Sequence, residues 1–365
     1  MRSTFLRHLL ALAIGTSAPA AFAGPYSDLV IFGDSLSDTG NVLALTQAFT
    51  PATPFPVFPG AEGRFSNGPV WVETLANGLG LGAAAGPARQ IFNGTNVLPL
   101  GAPAGNNYAY GGARTGLGGS AGPTTGLLGQ LINWNGGAFT AQSGLTRAAD
   151  PNALYVVVAG GNDLRDHRSG NATDRTNAAG TAAQNVIESV GLLAVAGARH
   201  FLIASMPDLG STPEARDLNL VAESTDITVK FNTALGLFAD LLDAGFQFAT
   251  GIDLDIRELD LFGLGQRIID DARNNGGKTY GITNVDTPCI NPLVNPLTNQ
   301  KFYYVPGVTT TACDSAGSSD DLHPSARLHQ LFGQQALATA VPEPAPLALL
   351  AAALLALTLV RRQAR

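Results

Sequence analysis

Asp320-Asp321-Leu322-His323-Pro324 sets a carboxylate three residues ahead of an imidazole. Within a single turn such a carboxylate can orient the ring, fix its tautomer and stabilise the imidazolium formed when the ring takes a proton. That is the equipment of a general base. A hydroxyl that such a base could activate occurs in Gly33-Asp34-Ser35-Leu36-Ser37-Asp38-Thr39-Gly40-Asn41, directly after the apolar run Leu29–Phe32. On its own Gly-Asp-Ser is an ordinary strand-to-helix turn, with Gly for the bend and Ser37 or Asp38 as helix cap, so its meaning depends on what accompanies it. Gly160-Gly161-Asn162-Asp163 follows a second apolar run, Leu154–Ala159. An Asn amide in that position can donate a hydrogen bond to developing negative charge, although the tetrapeptide alone also reads as a turn. Of the 5 His, His8 lies near the N-terminus, and His167, His200 and His329 have no comparable setting.

Other motifs lack the frame that their chemistry requires. Gly118-Gly119-Ser120-Ala121-Gly122 fits the Gly-x-Ser-x-Gly elbow, but Gly116–Gly119 stand where a strand is required and Pro123 follows. Gly80-Leu81-Gly82 has no strand leading into it, and Gly277-Lys278-Thr279 has Ala272 where a phosphate loop needs its first Gly. No nucleotide cofactor is implied.

The elements that must position these groups read as α/β. Leu29–Phe32, Leu154–Ala159 and Phe201–Ala204 are short apolar runs bounded by Gly, Asp or Asn, the pattern of parallel strands buried on both faces. Thr176–Ala196, Val221–Ala244, Ile256–Asn274 and Ser325–Ala338 have helical spacing. Strand alternating with helix implies a parallel sheet covered on both sides, with functional loops beyond the carboxyl ends of its strands. Residues 51–150 read as a loop-rich excursion with a short strand near Tyr108–Tyr110, and residues 284–322 as a second loop region. Of 365 residues, 45% are hydrophobic and 13% charged, and there are 43 Gly and 22 Pro. This composition can bury a full core and suits many turns on a low-charge surface. Net charge is −7, and setting aside +2 from residues 1–23 and +2 from residues 342–365 leaves −11 for the body. So acidic a body argues against a nucleic-acid partner held by phosphate contacts.

In order along the chain, the blocks Gly33–Asn41, Asn107-Tyr108-Ala109-Tyr110-Gly111-Gly112-Ala113, Gly160–Asp163 and Asp320–Pro324 resemble the GDSL family of the SGNH hydrolases. Gly63-Arg64-Phe65-Ser66-Asn67-Gly68 and Met206-Pro207-Asp208-Leu209-Gly210 resemble its larger exported esterase and lipase branch, which has phospholipase and acyltransferase relatives. The resemblance spans nearly the whole body. It implies a three-layer α/β/α, flavodoxin-like sheet and a carboxylic ester hydrolase without metal or cofactor. Ser35 would be the nucleophile, His323 the base and then acid, and Asp320 the orienting carboxylate. The backbone N–H groups of Ser35 and Gly112 and the amide of Asn162 would form the oxyanion hole. Asp321 competes with Asp320 for the carboxylate, and Gly111 with Gly112 for the donor; the family's spacing of three favours Asp320, and its alignment of the Gly pair favours Gly112. Asp34 and Asp163 are expected to hold their loops together. The same residues also suit a carbohydrate O-deacetylase or a phospholipid acyltransferase, and outside enzymes the chain could be an exopolysaccharide-associated surface protein.

The two ends read as addresses. Residues 1–23 combine Arg2 and Arg7, the apolar stretch Leu9–Ile14 and Ala21-Phe22-Ala23, the pattern of a secretory signal. At the other end Val341-Pro342-Glu343-Pro344 leads into apolar Ala345–Val360 and then Arg361, Arg362 and Arg365. At ~1.5 Å per residue that run reaches ~24 Å, short of the ~30 Å hydrocarbon thickness, and the arginines would keep the last residues cytoplasmic. Residues 341–365 resemble the PEP-CTERM sorting signal of exopolysaccharide-producing Gram-negative bacteria. That resemblance implies export through the periplasm to the cell surface or medium, transient membrane insertion and removal by an exosortase; the alternative is a simple tail anchor, which would leave the helix membrane-embedded. One hydrolase domain over residues 24–340 remains. In an oxidising compartment its 2 cysteines, Cys289 and Cys313, are expected to form one disulfide. Without a nearby His pair they make no zinc site.

Overall fold

The computed structural model describes residues 24–140 and 144–341. The secretory-signal reading, residues 1–23, and all but Val341 of the sorting-signal reading, residues 341–365, lie outside the described residues. Four parallel strands, β1 (Leu29–Gly33), β2 (Leu154–Val158), β3 (His200–Ala204) and β4 (Asp255–Leu259), are hydrogen-bonded in that order. Nine helices surround them among the described residues: α1 (Asn41–Phe49), α2 (Trp71–Gly78), α3 (Leu127–Trp134), α4 (Gly161–His167), α5 (Ala172–Val195), α6 (Pro213–Asp217), α7 (Val221–Thr250), α8 (Leu261–Asn275) and α9 (Ala326–Ala340).

Alternation along the strands divides the core into the two layers that a covered parallel sheet requires. Val30, Phe32, Tyr155, Val157, Phe201 and Ile203 pack with α3, α5 and α7. Leu29, Ile31, Leu154, Val156, Leu202 and Ala204 pack with α2, α8 and α9 on the opposite face. This is the three-layer α/β/α arrangement. The helices approach closely where α9 crosses α2: a Cβ on Gly333 would lie 2.4 Å from Cβ of Thr74. A third cluster, including Val42, Leu45, Phe65, Tyr110 and Tyr304, caps the region around the Ser35 loop.

The segment expected as a short strand near Tyr108–Tyr110 runs along the free edge of β1. Tyr108 N–H donates to the Ile31 carbonyl at 2.7 Å, and Tyr110 N–H to that of Gly33 at 3.2 Å. Counting this segment, which comes second in the chain, the order across the sheet is 2-1-3-4-5, the flavodoxin-like winding. The order reverses beside β1, and crevices at such switch points are where open α/β sheets bind ligands.

Two expectations need correction. Residues 256–259 are strand rather than helix: Asp255–Leu259 pairs with His200–Ala204, and helix α8 begins only at Leu261, where the Asp260 carboxylate accepts the Gly263 N–H at 2.6 Å. An edge strand half open to solvent carries polar residues such as Arg257 and Glu258, so it lacks the all-apolar run that marks a central strand. Residues 51–150 are also less irregular than expected, since they contain α2 and α3. Glu73 caps α2 by accepting the Val70 N–H at 2.9 Å while holding Arg64. Both helices are only 8 residues long, too short for periodicity to stand out. In the loop region 284–322, Cys289 and Cys313 are joined by a disulfide, and short antiparallel pairs connect 290–291 with 309–310 and 293–294 with 301–302.

Candidate active site

The loop after β1 carries Ser35. Gly33 gives way to a tight turn in which the Ser37 and Asp38 N–H groups both donate to the Asp34 carbonyl at 3.0 Å. Gly33 lies so close to the neighbouring strand that a Cβ would come within 2.7 Å of the Val158 carbonyl oxygen. Gln130, buried on the otherwise apolar face of α3, clips the strand end: its Oε1 accepts the Gly33 N–H at 2.9 Å and its Nε2 donates to the Gly33 carbonyl at 2.7 Å. Sequence reasoning missed Gln130. Its one available signal is a polar residue between Leu127, Leu131 and Trp134 on the same helix.

The chain brings His323 to this serine from 288 positions away, with Nε2 at 2.8 Å from Ser35 Oγ. On the other side of the ring, Nδ1 lies 2.7 Å from Asp320 Oδ2. A carboxylate only accepts, so Nδ1 carries the hydrogen and Nε2 is left to accept from the serine hydroxyl. Asp320 Oδ1 accepts the Leu322 N–H at 2.7 Å and also the N–H of His323. Burial opposes charge on Asp320, but the imidazole and these N–H groups outweigh it and hold the carboxyl below its usual range. Asp321 points away from this chain of bonds and pairs with Lys301 at 3.0 Å. The turn is tied to the disulfide region, where Cys289 and Ile290 N–H donate to the Ser318 and Ser319 carbonyls at 3.0 and 2.9 Å.

Ser35, Gly112, Asn162 and His323 line one cleft, together with Phe55 and Phe65. The Phe65 ring lies 5.4 Å from that of His323. Asn162, in the first turn of α4, donates one amide hydrogen to the Ala113 carbonyl at 2.9 Å, and the second is not needed for that bond. The two glycines differ: Gly111 N–H is taken by Asp38 Oδ2 at 2.9 Å, whereas Gly112, with φ 75°, has an N–H without a partner among the described residues. Ser120 lies in a turn near Gly112, its N–H donating to the Gly112 carbonyl, and has no strand in front of it. A second cavity on the β3 side of Ser35 is lined by Asp34, Met206, Leu209 and Phe332.

Asp34 and Asp163 are engaged with their loops. Asp34 Oδ1 accepts the Leu36 N–H at 3.0 Å, and burial pushes its carboxyl up to about 6. Asp163 accepts from the Thr115 N–H and hydroxyl at 3.0 and 2.8 Å. The remaining described histidines lie outside this arrangement. His200 pairs with Asp255, exposed His167 contacts the Asp163 carbonyl, and buried His329 accepts the Trp71 N–H, burial holding its imidazole down at about 3.

Comparison with known proteins gives this arrangement a context. Phosphatidylcholine-sterol acyltransferase of Aeromonas hydrophila is 28% identical over 257 residues, 69% of this chain and 66% of that protein. Esterase EstA of Pseudomonas aeruginosa is 34% identical over 255 residues, 64% of this chain but 36% of that protein. A GDSL esterase/lipase of Arabidopsis thaliana is 29% identical over 286 residues, 71% of this chain and 73% of that protein. The chain thus spans just under two thirds of the first relative's length and about a third of the second's. The family model for GDSL-like lipase/acylhydrolase proteins matches residues 29–336, nearly all of the sheet, its helices and the four blocks around Ser35, and the chain belongs to that family.

Proposed function

We propose that the protein is an exported serine ester hydrolase working through an acyl-serine. The carrying observation is the continuous bond chain from Ser35 Oγ through His323 to Asp320, at 2.8 and 2.7 Å. In this reading Oγ attacks the ester carbonyl carbon while His323 Nε2 takes the hydroxyl proton. The carbonyl oxygen, now an anion, accepts from Ser35 N–H, Gly112 N–H and the Asn162 amide. Collapse of the adduct breaks the bond to the alcohol, which leaves with the proton from Nε2, and water repeats the cycle to release the acid. Asp320 keeps the ring oriented throughout. No metal or cofactor takes part in these steps.

An acyl-serine can pass its acyl group to an alcohol as well as to water. The Aeromonas relative, named as an acyltransferase, favours that second reading. Export through the periplasm, to the surface or medium of a Gram-negative bacterium, follows from the signals read at the two ends. A fluorophosphonate probe tests the shared intermediate. The wild-type protein should be labelled and should hydrolyse p-nitrophenyl esters, while Ser35→Ala should take no label and lose at least about 10³-fold in kcat. Equal labelling of the two proteins defeats the proposal. Adding glycerol to the assay then separates the two acceptors, since acyl transfer yields glyceryl ester in place of free acid.

A further inference from the structure

Asp38 is a buried carboxylate that the reaction above does not use. It has no exposed surface, and it accepts four backbone N–H groups. Oδ1 takes those of Gly40 and Asn41 at 2.8 and 2.7 Å; Oδ2 takes those of Val42 and Gly111 at 3.2 and 2.9 Å. The first three belong to the entry of α1, and a single capping oxygen from Ser, Thr or Asn ordinarily suffices there. The fourth does not. Gly111 lies 73 residues further along the chain, and its bond contributes nothing to the helix.

What this fourth bond fixes is the Tyr110–Gly111 peptide, the one immediately before the peptide that carries the Gly112 N–H. Along the edge of β1, alternate N–H groups of the crossing segment, those of Tyr108 and Tyr110, donate to Ile31 and Gly33. Continued by two residues on each side, that alternation would bring Gly112 opposite Ser35. The ladder stops there: Gly112 turns to φ 75°, and its N–H, the next in the series, has no partner among the described residues. Two buried amides lock the same junction. Asn41 Nδ2 donates to the carbonyls of Asn107 and Ala109 at 2.8 Å, and Asn107 Nδ2 donates to that of Ser37 at 2.7 Å. The serine loop and the Gly112 segment are therefore cross-braced, and Asp38 is the brace nearest to Gly112.

We propose that Asp38 is a positioning residue for the oxyanion hole: by holding Gly111 N–H it leaves the adjacent Gly112 N–H as the donor aimed at the substrate carbonyl. The inference rests on the serine-hydrolase reading of the site. It also gives a physical reason for an Asp at this position in Gly33–Asn41, where a cap alone would be served equally well by Ser.

Asp38→Asn is the informative variant, because Oδ1 can still cap α1 while the amide NH2 that replaces Oδ2 faces Gly111 N–H as a second donor. The expected result is a fall in kcat of about 10- to 100-fold with KM within about twofold. Affinity for an alkylboronic acid, whose tetrahedral serine adduct occupies the oxyanion hole, should weaken by the same factor as kcat. Asp38→Ser, which keeps a cap but is too short to reach Gly111, should show the same split. An unchanged kcat and boronate affinity, or a loss confined to KM, overturns the proposal. If neither variant yields soluble protein, amide exchange in the wild type decides: Gly111 should be protected in the free enzyme, and Gly112 should become protected only with the boronate. A Gly111 amide exchanging as fast as that of Gly112 overturns the role of Asp38. Failure of the wild type to hydrolyse esters or bind the boronate instead removes the underlying reading, and leaves the Gly111 measurement standing.

Discussion

Asp34 and Asp320 are similarly hidden, at 2% and 6% exposure, and both adjoin the reactive pair, yet their carboxyls are driven in opposite directions. Around Asp34, in the serine loop, burial dominates over the Leu36 N–H and the His323 imidazole that oppose it, and nearby Asp163 adds to it, so the carboxyl rises to about 6. Around Asp320, in the histidine turn, the His323 ring and two N–H groups overcome the same penalty. Compensation decides the direction, not depth. The serine loop uses its carboxylates as braces for the backbone, and the histidine turn uses its carboxylate on the ring that we propose gains and loses a proton.

The strongest way to break this contrast is to remove the charge from the histidine turn. Asp320→Asn keeps size and can still accept from Leu322 N–H, but its amide no longer requires the Nδ1–H tautomer of His323. The variant should lose about 10²- to 10⁴-fold in kcat, read as p-nitrophenol release at saturating substrate. Activity near that of the wild type would put the orienting carboxylate elsewhere.

The same contrast explains what could be read from the sequence. Ser35, Asn162, His323 and Asp320 were legible because each sits in a short local pattern, and the patterns occur in one order; the central strands were legible because burial on both faces leaves only apolar residues. Gln130, the Asp38 bond to Gly111 and the Phe65 ring against His323 were not legible, because each is a contact between segments far apart in the chain. Edge strand β4 was hidden by its polar residues, and α2 and α3 by their shortness within a Gly- and Pro-rich stretch. The choice between Gly111 and Gly112, left to the family's pattern at the level of sequence, acquires a physical basis only from knowing which N–H is already occupied.

A smaller effect sharpens the comparison from the side of the serine loop. The folded-state pKa of Asp34, about 6, lies above its unfolded value of ~3.9. Its contribution to stability is therefore fully present below pH ~4 and is lost as the pH rises through about 6; at neutral pH the ionised, buried carboxylate is a cost. Asp34→Asn removes that cost while keeping an acceptor for Leu36 N–H. Denaturant unfolding should find the variant more stable than wild type by about 2–3 kcal/mol at pH 8, with the difference closing by pH 4. Asp320 has the opposite sign, its contribution being present above pH ~4 and lost as the pH falls. A stability difference for Asp34→Asn that does not vary with pH would mean that the carboxyl is not held above its ordinary range.

The smallest expected effect separates two adjacent residues. Asp321 follows Asp320 directly, but its carboxylate pairs with Lys301, which is 39% exposed and shared with Asp217, while its carbonyl accepts the Glu214 N–H at 2.8 Å. Asp321→Asn leaves that backbone bond intact and removes only one partner of a solvent-facing ion pair, an interaction ordinarily contributing less than about 1 kcal/mol. Stability should change by no more than that, and kcat should stay within about twofold of wild type, assayed beside Asp320→Asn under the same conditions. Because the two substitutions are chemically identical and one residue apart, the ratio of their kcat values isolates the bond to His323 Nδ1 from any general effect of lost negative charge in the turn. A ratio near one with both variants impaired would show that the turn needs only its net charge, and that neither carboxylate is specifically coupled to the imidazole.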